Sequence, residues 1–235
     1  MSLDIDITGE TIVTSQPYVK PKPVINMVPC PEPPEYDEHN IYPIKPEIPK
    51  EVPKGDYISR CHYGALIINT RNIFIADVDI KKDSKYPQLR SKEAYTDYFI
   101  KMSRYLMNDF VLHETFGGFR VIMVSQTCNP KGKLSQAYME LFLADPLYAH
   151  NCIHQGCYRA RLTPKPTRVG MKDFDKDLYK SEGKWLGDYS KNIKDFAVCR
   201  LKEASRKFLV NFCDEANQFL LLHNSYTINK TKPLA

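Results

Sequence analysis

The stretch "YGALIINTRNIFIADVDI", residues 63–80, decides how the rest of the chain is read. Its β-branched residues fall in two runs parted by Thr70-Arg71-Asn72, which predicts two strands joined as a tight hairpin without glycine. Successive strand side chains point to opposite faces, so Asp77 and Asp79 share one face while Ala76, Val78 and Ile80 share the other. Two carboxylates less than about 7 Å apart repel one another in a dry site. A divalent cation such as Mg²⁺ or Mn²⁺ removes that penalty, because hard ions take carboxylate and phosphate oxygens. A solvated strand edge removes it too.

Working outward, "SKEAYTDYFIKMSRYLMNDF" places Tyr95, Tyr98, Phe99, Met102, Tyr105 and Leu106 at helical spacing behind Ser91, a good N-cap. "VLHETFGGFRVIMVSQ", residues 111–126, predicts a second hairpin around Gly117-Gly118. "KLSQAYMELFLAD" reads as a helix that stops before Pro146, and "CYRARLTPKP" as a strand. "FAVCRLKEA" reads as a strand, and "SRKFLVNFCDEANQFLLLHN" as a helix with an apolar face at Phe208, Leu209, Phe212, Phe219 and Leu220. This order predicts an α+β domain over residues 56–235: an RRM/ferredoxin-like, mostly antiparallel single sheet with helices packed on one face. Hairpin 63–80, hairpin 111–126 and a strand at 196–203 all belong to that sheet in this reading.

Residues 1–55 differ in kind. They hold eleven of the 17 prolines and sustain no helical or strand period, which predicts an extended arm. The arm carries five Lys/Arg and nine Asp/Glu, so the remainder, with 28 against 19, has a net charge of +9. A basic folded part suits a polyanion such as DNA or RNA, or a nucleotide, although a solvated surface gives the same count. No stretch approaches the roughly 20 apolar residues that span a bilayer, and the opening MSLDIDITGE lacks the layout of a secretory signal. Seven scattered cysteines read as reduced thiols. Together these predict a cytoplasmic protein that makes no membrane contact.

Asp-x-Asp on a strand, a glycine-turn hairpin, and then Asp145 ahead of the Arg-rich "LADPLYAHNCIHQGCYRARLTPKP" resemble the catalytic core of the archaeo-eukaryotic primase superfamily, in particular its primase-polymerase members. The match spans residues 63–168, under half of the chain. It implies a metal-dependent nucleotidyltransferase of DNA replication, with Asp77, Asp79 and Asp145 as catalytic acids holding Mg²⁺ or Mn²⁺. Nucleoside triphosphate and a DNA or RNA chain would be its partners. The resemblance also implies that Tyr158-Arg159 and Thr163-x-Lys165 belong to a phosphate-gripping run. Where the family carries a Ser-x-His motif on the hairpin strand, this chain has Arg120, which can hold a triphosphate bidentately but cannot change protonation state. Arg159 and Arg161 alternate onto one strand face with Thr163 and Lys165 beyond them, so a phosphate-binding stripe of Arg159, Arg161, Thr163 and Lys165 is expected beside the acids.

Other readings stay open. The arginines could form structural ion pairs with these same aspartates. The domain could be a catalytically silent nucleic-acid-binding module, or a scaffold whose Pro-rich arm docks a protein partner. Cys152, His154 and Cys157, with Cys128, could hold zinc, although the spacing is tight. "DFDKDLYKSEGKWLGDYS" reads as a solvated loop pinned by Trp185, or as a lid. No G-x-S-x-G, Walker A or Rossmann fingerprint is present, so hydrolase, P-loop and dinucleotide readings have no support.

Overall fold

The computed structural model describes residues 56–80, 86, 88–106, 108–174, 182–202 and 212–235. All of them fall in one unit, Glu38–Ala235. The Pro-rich arm expected over residues 1–55 lies outside the described residues, as do Phe208 and Leu209 of the expected C-terminal helix.

The described residues form an α+β fold. Its strands are β1 (Tyr57–Arg60), β2 (Leu66–Thr70), β3 (Ile75–Asp79), β4 (Phe110–Thr115), β5 (Gly118–Met123), β6 (Tyr158–Arg161) and β7 (Cys199–Leu201). Its helices are α1 (Lys92–Ser103), α2 (Lys133–Leu141), α3 (Pro146–Gln155), α4 (Glu182–Asn192) and α5 (Asp214–Thr227). Two antiparallel sheets result, ordered β1-β2-β6 and β3-β5-β4-β7.

The expected single sheet is therefore divided, and the division falls inside residues 63–80. β2 pairs with β1 and β6, whereas β3 pairs with β5. The link explains why. The Thr70 hydroxyl accepts from the backbone N–H of Asn72 at 3.3 Å and of Ile73 at 3.2 Å, and the Asn72 carbonyl accepts from Cys128 N. These bonds carry the chain onward instead of folding it back, and the link has no glycine for the φ > 0 that a two-residue hairpin turn favours.

The second hairpin forms as expected, with Phe116 and Gly117 between its strands. Its glycine is required for space: a Cβ on Gly118 would lie 1.9 Å from the Val78 carbonyl oxygen. That close approach lets β5 carry its register with β3 to the end, Val78 opposite Phe119 and Asp79 opposite Gly118.

On one face of the second sheet, Ala76, Val78, Phe119 and Val121 are buried beneath α1, whose N-cap Ser91 accepts from Ala94 N at 3.2 Å. Tyr95 and Phe99 stand against Phe119 at 6.3 and 5.7 Å between ring centroids. Phe142, just after α2, touches Phe74, Phe99 and Phe110, the last at 5.1 Å. Phe142→Ala removes the ring these aromatics share, a change of the kind that costs roughly 3–5 kcal/mol. The helix at 92 ends at Ser103, so Tyr105 leaves the periodic face and is exposed.

The other face of this sheet is covered where α5 lays His223 against Arg120 and His113. Two helices go beyond the sequence expectation. α3 begins at Pro146, where a break was expected, and α4 occupies part of the expected loop, with Trp185 stacked on Tyr189 at 4.9 Å and edge-on to Phe174.

Candidate phosphate-binding site

β3 sets the site. Ala76 and Val78 are buried, and Asp77 and Asp79 project from the opposite side, as strand alternation requires. Directly across the ladder from Asp77 stands Arg120, and across from Arg120 stands His113 on β4. Facing residues on adjacent strands share a face, so the row reads Asp77, Arg120, His113.

Arg120 is only 1% exposed. Its Nε lies 3.6 Å from Asp77 Oδ1, and its Nη1 donates to the Arg161 carbonyl at 3.1 Å and to His223 Nε2 at 3.1 Å. A guanidinium cannot accept, so Nε2 of His223 is the unprotonated nitrogen. The proton sits on Nδ1, which donates to Asn224 Oδ1 at 3.0 Å, and the same oxygen accepts from His113 Nε2 at 2.9 Å. Burial pushes both imidazoles down, to about 3 for His113 and well below the ordinary range for His223. Arg120 thus fixes Asp77 from within the fold and does not reach the surface where an incoming phosphate would arrive.

The outward side of β3 meets residues 161–168. Burial opposes the charge of Arg161, but Asp77, the Tyr63 hydroxyl and Cys199 together hold its pKa above the ordinary value. Lys165 Nζ stands 5.2 Å over the Tyr63 ring. Burial and the like charge of Arg161 push Arg168 down, against the pull of Asp79 and Asp77. A Cβ on Gly117 would be 3.3 Å from Asp79 Oδ1 and 3.6 Å from Arg168 Nη2, which brings that carboxylate and that guanidinium together beside the hairpin turn. Arg168 also lies 4.7 Å over the ring of Phe116.

The remaining expected residues are distributed differently. The backbone N–H of Asp145 donates to the Asp77 carbonyl at 2.8 Å, which brings the third acid to β3. Its carboxylate Oδ1, however, accepts from Leu147 N at 3.0 Å and Tyr148 N at 3.1 Å and caps α3. Thr163 is buried, and its hydroxyl accepts from Leu66 N and from Tyr189 Oη, both at 2.8 Å. Arg159 shares the face of Arg161 on β6 but stands opposite Asn69, toward Tyr57 and Cys152. Cys152 and Cys157 are buried, while His154 is exposed and stacks on His150 at 4.1 Å.

As a cradle for Mg²⁺ or Mn²⁺ the three acids fit poorly. Arg120 and Arg161 already neutralise Asp77, and Asp145 is spent on a helix terminus. Among the described residues no three His, Cys, Asp or Glu side chains surround a common point.

Sequence reasoning missed Tyr63, Phe116, Arg168 and His223, and it placed Tyr148, after the third acid, in the phosphate-gripping run. Tyr148 joins the two sheets: its hydroxyl shares its proton between the carbonyls of Ile75 and Arg159, each 3.1 Å away, and accepts from Arg159 N at 3.3 Å. Arg168 extends the basic run by three residues and was legible as such. Phe116 was visible only as the residue before the glycines.

The chain matches no protein-family model, no curated protein and no solved structure. Among the described residues, no helix is long and apolar enough to cross a membrane.

Proposed function

We propose that this domain binds the phosphates of a nucleic acid or nucleotide at the rim formed by β3, the β4–β5 turn and residues 161–168, and that it binds without catalysing phosphoryl transfer. The observation that carries this reading is the surplus of cations around Asp77 and Asp79. Arg120 and Arg161 act on Asp77, Arg168 acts on Asp79, and Lys165 stands over the Tyr63 ring whose hydroxyl meets Arg161, so four cations gather around two acids. Such a cluster attracts a polyanion, and an arginine can grip phosphate oxygens bidentately. The five free cysteines buried in the fold, Cys61, Cys128, Cys152, Cys157 and Cys199, suit a reducing, cytoplasmic setting.

The test is titration of the protein into a labelled single-stranded oligonucleotide across a salt series. Affinity should fall linearly on a log–log plot, and Lys165→Ala and Arg168→Ala should each reduce the slope by about one. No binding at low salt would overturn the reading.

A second reading, metal-dependent nucleotidyl transfer of the primase-polymerase kind, draws support from Asp77 and Asp79 sharing the outward side of β3. It requires Asp77 to exchange its guanidinium partners for a metal. Mn²⁺-dependent incorporation of labelled nucleotide, lost in Asp79→Asn, would put this reading in place of the first.

A further inference from the structure

Phe116 is a large aromatic left in solvent at the tip of a two-residue turn, 54% exposed. Exposed aromatics are common singly and need no explanation. This one differs in its surroundings. The Arg168 guanidinium lies 4.7 Å over its ring, and the same guanidinium neighbours Asp79 across Gly117. The turn cannot move far, because Gly118 is pressed on the Val78 carbonyl and Ile80 N donates to the Gly117 carbonyl at 3.0 Å. A planar hydrophobic surface is therefore held beside a cationic rim by a rigid hairpin.

That combination matches the composite chemistry of a nucleotide unit, one flat apolar base and one charged phosphate. We infer that Phe116 is a stacking platform for a nucleobase of a single-stranded nucleic acid whose backbone phosphates lie on Arg168 and Lys165. The inference rests on the phosphate-binding reading and adds to it the class of ligand: a strand whose bases are unpaired, because a base within a duplex has its faces covered by its neighbours. Stacking tolerates every base, since each has a π-face, so the platform gives preference for single strands without sequence choice. Arg168 contributes twice, as a phosphate contact and as a cation over one face of Phe116 that steadies the ring.

An acidic peptide could meet the cations but would not need the ring. The experiment uses the full chain with two fluorescent probes of equal length and charge, a deoxythymidine 12-mer and its abasic counterpart, and polyglutamate as competitor. Wild-type protein should prefer the base-bearing strand by roughly 5-fold to 100-fold. Phe116→Ala should erase that preference while leaving affinity for the abasic strand unchanged, and Phe116→Trp should restore it. Arg168→Ala should weaken both probes. Because Phe116 is exposed and its neighbours in the turn are unchanged, the far-ultraviolet circular dichroism of the Phe116→Ala variant should match wild type. Equal affinity of wild type for both probes would overturn the stacking role and leave phosphate binding standing. Binding of neither probe, or displacement by polyglutamate as effective as by the oligonucleotide, would overturn both.

Discussion

Arg120 Nη1 donates to His223 Nε2 across 3.1 Å inside the fold, so a permanent cation fixes the tautomer of a neutral imidazole. Proton uptake by His223 would put two positive charges in contact, and His113 stands beside it at 5.0 Å between ring centroids.

Stability should consequently fall with acid earlier than carboxylate titration alone would cause. Both histidines are depressed in the folded protein and return to the ordinary value of 6.5 when it unfolds. The stabilisation is therefore complete above about pH 6.5 and is lost as pH falls below it, down to the folded-state value near 3 for His113. With both groups involved the slope approaches two protons, about 2.7 kcal/mol per pH unit. Urea unfolding at pH 7.5, 6 and 5 measures it, and a flat profile over this range would contradict the neutral pair.

Removing the buried cation should be costly, and less so when its partner is removed as well. Arg120→Met strands His223 Nε2 and the Arg161 carbonyl and should cost roughly 3–5 kcal/mol. Asp77→Asn leaves a buried guanidinium without its carboxylate. In a double-mutant cycle the combined variant should lose less than the two single losses added together. Strict additivity would show that the 3.6 Å pair carries no coupling.

Gly118→Ala should be the most damaging change in the hairpin. Its Cβ would overlap the Val78 carbonyl at 1.9 Å, a contact with backbone that no rotamer can relieve. The expected loss is at or above the upper end of the ~1–3 kcal/mol typical of overpacking. Gly117→Ala, with Asp79 Oδ1 at 3.3 Å, should be far milder. Thermal unfolding of the two variants side by side makes the comparison.

Tyr148→Phe removes one oxygen atom and leaves the Ile75 and Arg159 carbonyls and Arg159 N without that partner. A loss of about 1–3 kcal/mol should follow. Hydrogen exchange at Arg159 should accelerate beyond what the global loss explains; unchanged protection there would refute the bridge.

Much of the fold is legible where local rules act alone. Ser91 caps its helix, Gly117-Gly118 turns its hairpin, and Asp77 and Asp79 alternate away from Ala76 and Val78. The failures occur where long-range contacts decide. The missing glycine in Thr70-Arg71-Asn72 disfavours a tight fold-back but does not say which sheet the following strand joins; Cys128 and β6, far along the chain, decide it. Asp145-Pro146 is different, because an acid followed by proline is a helix-start signal, with Gly156 as the left-handed stop ten residues on. Reading Asp145 as a catalytic acid hid the helix it caps. Of the candidate site, the placement of Asp77 and Asp79 on one side of β3 was legible; the helix-capping role of Asp145, the place of Arg159 and the role of His223 were not, the last because it depends on α5 crossing the sheet over Arg120.

The bridge made by Tyr148 has a consequence for solubility. Among the described residues β3 and β6 are each the last strand of a sheet, and a last strand exposes a row of N–H and C=O groups to which a strand from another molecule can add. Here the two open rows face one another, and Tyr148 and Arg120 occupy their carbonyls with side-chain donors. The arrangement keeps the sheets distinct, with a separate register in each, while closing two of their four borders to intermolecular β-pairing. A variant that loses the Tyr148 hydroxyl should accordingly be prone to self-association on warming, at temperatures where most molecules are still folded.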